Sequence, residues 1–238
     1  MGAIRGERDR NDRAARGHAG VVVVPPDMLV VGWADMTEAT SPVIDPAQAE
    51  SYRVLRSRID LSVLLPLTRA VTEAIVCATG DFDYVTDLVC DEAALAAGAR
   101  AIAAGAPVVA DAPVVAAGIT GCPVICKAAE PLAVRLARTT GITVPAAGIR
   151  LGFGEAGPRS VWVLGGTADA LEELLRRVVD PALVIGVPAG FAGAAAAKDA
   201  LRASGAPALS NLSEKGGPVV AAAAFGALLR AARDEPQP

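Results

Sequence analysis

Glycine-rich turns bounded by apolar runs carry the clearest chemical signal in this chain of 238 residues. Pro188–Gly193 lies between the apolar run Ala182–Val187 and the alanine-rich Ala194–Leu201. Strand, glycine loop and helix in that order aim unpaired N–H groups and the positive end of a helix dipole at one spot, which suits an anion. The same glycines could simply turn the chain over a sheet edge, since a lone glycine loop is a weak motif. Gly165-Gly166-Thr167 also stands between a strand pattern, Ser160–Leu164, and a helix pattern, Ala168–Val178. It lacks both G-x-G-x-x-G and the lysine of a P-loop, so neither a nicotinamide nor an ATP site is expected there. Asp81 and Asp83 flank Phe82 and read as paired acids or as solvated loop carboxylates. Cys122 and Cys126 miss the two-residue spacing of a metal knuckle, and no second pair follows, so inert thiols and no metal are expected. His18 is the one histidine and sits in a polar leader, which excludes Ser-His-Asp chemistry from the core unless the leader folds back.

The elements that must position these residues follow from periodicity and breakers. Met1–Ala19 is dense in charge and reads as disordered, and Val21–Val24 with Met28–Trp33 as an edge strand or a dimer arm. Ser41–Asp45 reads as a loop, with Asp45 as an N-cap and Pro46–Ser57 as a helix. Pro66–Glu73 reads as a second helix feeding a strand, Ala74–Ala78. Beyond it, Asp91 is placed to cap a helix over Glu92–Ala104. Val108–Ala110 is a strand and Asp111–Gly118 the loop after it, with Pro123–Lys127 a further strand and Pro131–Arg138 a helix. Ile142–Pro145 is a short segment. Pro207–Leu209 suggests a last strand, Asn211–Pro218 a polar glycine loop and Val219–Arg233 a final helix. Strand and helix alternate about five times. The expectation is a single doubly wound α/β domain over residues 41–233, with a mostly parallel sheet and helices on both faces. Residues 1–40 form a leader and 234–238 a tail, and the ligand sits beyond the carboxyl ends of the strands.

Composition narrows the function classes. Apolar residues make up 53% and aromatic residues 3% of the chain, with a formal net charge of −4. That leaves no basic footprint or stacking surface for nucleic acid. No apolar run approaches the roughly 18 residues of a membrane span, and no secretory signal opens the chain. The four cysteines are therefore expected as reduced thiols, and the protein as cytoplasmic.

Six segments in order resemble the precorrin-8X methylmutase (precorrin isomerase) family of cobalamin biosynthesis. They are Ala49-Glu50-Ser51-Tyr52-Arg53, Cys77–Tyr84, Ala104–Asp111, Val115–Ile119, Leu183–Lys198 and Ser213-Glu214-Lys215-Gly216-Gly217. The resemblance covers roughly residues 44–230. It implies a homodimer with a shared cleft that moves a methyl group from C11 to C12 of a precorrin-8 type macrocycle, giving hydrogenobyrinic or cobyrinic acid. The shift is intramolecular, so no cofactor is implied; the partner is a corrinoid, a precorrin or cobalt-precorrin. Positioning and a proton donor then carry the rate. Arg53, Lys215 and the loops at Gly190, Phe191, Gly193, Gly216 and Gly217 would receive the ring carboxylates. Thr79, Asp81, Asp111, Val114, Thr143 and Gly165 would line the same site.

The chain departs from the family at chemically important positions. Cys77 stands where the family has the histidine taken as general acid, and Thr143-Val144-Pro145 where it has Thr-Arg-Ser. Gly165–Ala170 replaces Gly-Asn-Ala-Pro-Thr-Ala, Val114 a methionine, and Pro218 a serine. An ordinary thiol has a pKa of about 8.5 against about 6.5 for imidazole, which makes Cys77 a weaker acid. Two classes of function stand side by side: an isomerase with Cys77 or a ligand carboxyl supplying the proton, and a non-catalytic relative that binds or carries a corrinoid or regulates an active partner.

Overall fold

Four runs of three or four residues build the parallel part of one sheet: β2 (Val108–Ala110), β3 (Val161–Leu164), β4 (Leu183–Gly186) and β5 (Ala208–Asn211). A fifth strand, β1 (Leu88–Cys90), runs antiparallel to β5, and the order across the sheet is β1-β5-β4-β3-β2. The computed structural model describes residues 46–177 and 180–234. The expectations for residues 1–45, including the leader, the arm and the Asp45 cap, lie outside the described residues, as does nearly all of the tail.

Alternation along the strands sorts their side chains into two layers. Val108, Ala110, Val161, Val163, Leu183, Ile185 and Leu209 face one core, covered by α2 (Pro66–Thr79), α4 (Glu92–Ala103) and the long α10 (Pro218–Asp234). Val109, Trp162, Leu164 and Val184 face the other, covered by α7 (Val144–Ala156), α8 (Ala168–Leu175) and α9 (Ala194–Ala203). Strands buried on both faces explain why β2, β3 and β4 are apolar throughout, while β5 ends in the buried polar Ser210 and Asn211. The expected α/β architecture, mostly parallel with helices on both faces, is what the chain adopts.

Helix entry follows local chemistry. Proline occupies the first turn of α2, of the short α5 (Pro113–Gly118), of α6 (Pro131–Thr140) and of α7, where its missing N–H costs nothing. Asp91 caps α4 as expected, accepting from the N–H groups of Ala93 and Ala94. The first helix, α1 (Pro46–Arg58), packs on α2.

Four readings need correction, and one strand was not anticipated. Ala74–Ala78 is not a strand: α2 continues to Thr79, and Gly80 at φ 70° ends it with an N–H bond to Val76 O. The continuous run Val71–Val76 is buried because α2 lies against α10, α4 and α1. A buried helix and a buried strand share that apolar signature. Pro123–Lys127 forms only an isolated parallel bridge, Ile125 with Val109. Asp111–Gly118 is not all loop, since α5 starts at Pro113. The 13 residues from Val144 are a helix, not a short segment. Its glycines hid it: a Cβ at Gly148 would lie 2.7 Å from Ala128 N, and one at Gly152 3.1 Å from Val109 Cγ1. Finally, Leu88–Cys90 is an edge strand that three residues of sequence do not announce.

Candidate active site

Parallel strands finish together, so the segments after β2, β3, β4 and β5 meet at one end of the sheet. Because β1 is antiparallel, its entry segment, Gly80–Asp87 with the short α3 (Tyr84–Asp87), arrives at that same end. The loops are tied to one another by specific bonds.

Asp111, directly after β2, is 1% exposed. Its carboxylate accepts from Gly165 N at 3.2 Å, Gly166 N at 2.8 Å and Thr167 N at 3.2 Å. Burial pushes its pKa up to about 6, against those three bonds, which favour the charged form. A Cβ at Gly166 would sit 2.9 Å from the same carboxylate, and one at Gly165 2.8 Å from Gly217 O. Asp111 therefore anchors the loop after β3; its oxygens are spent on backbone N–H groups.

The loop after β5 is held by a buried polar network. Asp87 accepts from Leu212 N, Ser213 N, Ser213 Oγ and Asn211 Nδ2. Burial alone would raise the Asp87 pKa, but these bonds outweigh it and hold the carboxyl below its usual range. From α9, the wholly buried Lys198 donates through Nζ to Asn211 Oδ1 at 3.0 Å, Lys215 O at 2.7 Å and Ser213 O. Gly217 N then bonds Val187 O at 2.7 Å, and Gly190 N bonds Glu214 O at 2.9 Å, joining this loop to the one after β4. Gly216 stands at φ 142°, and any Cβ there would collide with Val187 O. Out of this frame the Lys215 ammonium reaches Asp81 and Asp83, each at 2.6 Å. The two carboxylates hold the ammonium charged well above the ordinary lysine range, and Lys215 in turn depresses Asp81.

A cleft of about 400 Å³ opens between the loop after β3 and the loop after β4, lined by Gly166–Asp169, Glu172 and Ala189–Ala192. Phe191 stands over it, 97% exposed. Thr143, which caps α7, donates from its hydroxyl to Asp169 in the first turn of α8. Burial would raise Asp169, but hydrogen bonds led by the one from Thr143 hold it below its usual value. Among the described residues, five of the eight exposed large apolar side chains, Phe82, Val114, Phe191, Leu212 and Val219, lie at this end of the sheet. The end is thus an apolar rim around backbone donors and one paired lysine.

The family model for precorrin-8X methylmutase matches residues 46–231, the whole of this architecture. The chain belongs to that family. It is 32% identical over 194 residues to the cobalt-precorrin-8 methylmutase of Salmonella typhimurium, covering 76% of this chain and 92% of that protein. It is 34% identical over 191 residues to the precorrin-8X methylmutase of Pseudomonas aeruginosa, covering 75% and 91%. The crystal structure of precorrin-8X methyl mutase from Thermus thermophilus superposes with a TM-score of 0.72 at 30% identity, covering 79% of this chain and 96% of that one.

With the family in view, the expected site residues sort into three groups. Asp81, Asp111, Gly165, Gly190, Phe191, Gly193, Lys215, Gly216 and Gly217 stand on the converging loops, with Val114 at the start of α5 beside them. Thr79, the last residue of α2, and Thr143, the cap of α7, stand at helix ends bordering that region: Thr79 Oγ1 donates to Ile75 O and accepts from Asp81 N. Arg53 is apart. It pairs with Glu50 on the outer side of α1, and α1 packs chiefly on α2. Cys77, in the last turn of α2, is half-buried, and its charged surroundings are Glu73 and Arg56. Burial pushes its thiol up, Glu73 adds to that, and Arg56 opposes it. Tyr52, whose hydroxyl is 3.2 Å from Arg230 Nη2, shares this corner.

Lys198, Asp87 and Asn211 were not anticipated as site residues. One signal was present for Lys198. It stands four residues after Ala194 and three before Leu201, on the apolar stripe of α9, where a lysine without a buried partner is not tolerated.

Proposed function

We propose that this chain is an isomerase of cobalamin biosynthesis that moves a methyl group from C11 to C12 of a precorrin-8 type macrocycle, bound over the carboxyl end of the sheet. The observation that carries this reading is the convergence of all the strand-end loops of a precorrin-8X methylmutase on one apolar-rimmed, donor-rich face. The C11–methyl bond breaks as the C12–methyl bond forms, so the protein supplies placement and a proton rather than a co-reactant. The N-termini of α9 and α10 open on this face and suit the carboxylate arms of the ring, whereas that of α8 is already taken by Asp111 and Asp169. Lys215 offers a cation already steered by Asp81 and Asp83. The apolar rim fits both the flat macrocycle and a second copy of the chain. A homodimer closing the cleft is part of the proposal, tested by sedimentation at micromolar concentration. Free thiols suit work in the cytoplasm.

Cys77 is the proposed proton donor. Its raised pKa keeps it protonated at neutral pH and also makes it reluctant to release the proton, so slow turnover is expected. The same observation supports the second reading, a relative that holds a corrinoid without converting it. Absorbance-monitored turnover of the methylated precursor separates the two. Under the isomerase reading Cys77→Ala is slower than wild type and Cys77→His faster. Adding Val144→Arg, which restores the arginine of the family's Thr-Arg-Ser segment for a ring carboxylate, raises the Cys77→His rate further. Binding without turnover in wild type selects the carrier reading. Turnover unchanged in Cys77→Ala removes Cys77 as the donor.

A further inference from the structure

The loop that presents Lys215, Gly216 and Gly217 has almost no apolar support of its own, and Leu212 on it is exposed. Its shape is set from below by two buried charges of opposite sign. Asn211 stands between them with Oδ1 on the Lys198 ammonium and Nδ2 on the Asp87 carboxylate, and Nδ2 also donates to Lys215 O at 2.9 Å. An ammonium has three protons, and here three acceptors take them: Asn211 Oδ1, Ser213 O and Lys215 O. Both carbonyls belong to the loop itself. A lysine used only to fill space would keep its amine in water, since the long stem normally lets the charge reach the surface.

We propose that Lys198 is a positioning residue that holds residues 212–217 in the one shape that receives the corrinoid. This rests on the isomerase reading for the identity of the ligand, but not for the effect on the loop. Lys198 touches no part of the cleft and acts through Ser213 and Lys215. Deprotonation would leave two donors for three acceptors and withdraw the charge that Asp87 balances through Asn211. The charged groups around the amine are Asp87 of α3, Glu214 of the loop, and Asp199 and Arg202 of its own helix. Burial brings the Lys198 pKa down to about 8.

The test is hydrogen exchange on the unliganded full chain, with corrinoid titration alongside. In Lys198→Met, amides of residues 212–217 should exchange at least about tenfold faster while those of β3 and β4 stay as protected as in wild type. Corrinoid affinity should fall about tenfold. Asn211→Ala should loosen the same amides, and the double variant should add little to either single one. If Lys198→Met does not fold, Lys198→Gln, which keeps a neutral donor, is measured in its place with the same expectations. Unchanged exchange at 212–217, or equal loosening of loop and sheet, overturns the proposal. Absence of methyl transfer in wild type would count against the isomerase reading alone, because the exchange pattern needs no substrate.

Discussion

The two glycine loops at the carboxyl end of the sheet are built in opposite ways. The loop after β5 is bound from beneath by Lys198, Asn211 and Asp87, and Gly216 leaves no room for a side chain above Val187 O. The loop after β4 carries its glycines at φ 126° and 82°, yet a Cβ at Gly190 would meet nothing within 4 Å, and Phe191 stands in the open. One loop is a fixed wall. The other has open space beside it and presents a large apolar side chain. A site for a broad, many-armed ring gains from that division: the fixed wall sets register without reordering cost, and the open loop closes on whatever shape has been placed.

Substituting one glycine in each loop tests this contrast most severely. Gly216→Ala has both backbone strain and a collision with backbone, so the loop must move. It should lower stability by about 3 kcal/mol or more and abolish corrinoid binding. Gly190→Ala has the strain alone and should cost about 1–2 kcal/mol, with binding weakened but present. Chemical denaturation and corrinoid titration read both. Equal losses in the two variants would mean that the fixed loop is no more constrained than its neighbour.

Two buried aspartates, Asp87 beneath the loop after β5 and Asp111 beneath the loop after β3, sharpen the comparison through pH. Asp87 has a depressed pKa, so it contributes stability above the ordinary carboxylate range and loses it as pH falls through its folded value. Asp111 has its pKa raised by burial from 3.8 to about 6. Between those values the folded chain binds more protons than the unfolded chain, so this group favours folding at the acid end of the window and costs stability as pH rises through it. Asp87→Asn, which leaves four donors facing an amide, should cost about 2–4 kcal/mol at pH 7 and flatten the melting-temperature decline below pH 4. Asp111→Asn should cost less at pH 7, because the charge it removes is itself poorly solvated, and should flatten the change between pH 4 and pH 6. Parallel melts from pH 3 to pH 8 check both signs.

Much of this arrangement was legible in the chain because it rests on local chemistry. Val108–Ala110 and the core of Ala182–Val187 are strands buried on both faces, and such strands read as unbroken apolar runs. Asp91 caps a helix because Ala93 and Ala94 present their N–H groups to it. Gly190, Gly193, Gly216 and Gly217 occupy left-handed or otherwise glycine-favouring backbone and so mark their loops without any alignment. The failures share another cause. Ala74–Ala78 looked like a strand because whether an apolar run is buried as helix or strand is settled by its neighbours, here α10 and α4. The helix α7 was hidden because Gly148 and Gly152 are there for the packing of Ala128, Val109 and Trp162, none of which is local. Asp87 and Asn211 are 124 residues apart in sequence, and no spacing rule joins them. Arg53 entered the expected site through the family resemblance; on α1 it pairs with Glu50, a helix-surface pair of the kind worth little to stability.

The smallest effect on stability is expected at the residue most prominent in the open loop. Phe191 buries almost nothing in the isolated chain, so Phe191→Ala should leave the melting temperature within about 1 °C, in the range of ordinary surface substitutions. An exposed phenylalanine costs a soluble chain something in solubility and is worth keeping only where something covers it. If the macrocycle covers it, Phe191→Ala weakens corrinoid binding by about tenfold with no change in sedimentation, since burying a phenylalanine is worth about 1.5–3 kcal/mol. If a second copy covers it, the sedimentation coefficient falls and corrinoid binding becomes dependent on protein concentration. Unchanged affinity together with unchanged sedimentation would leave Phe191 without a partner in either direction, and the open loop would then have no claim to close on anything.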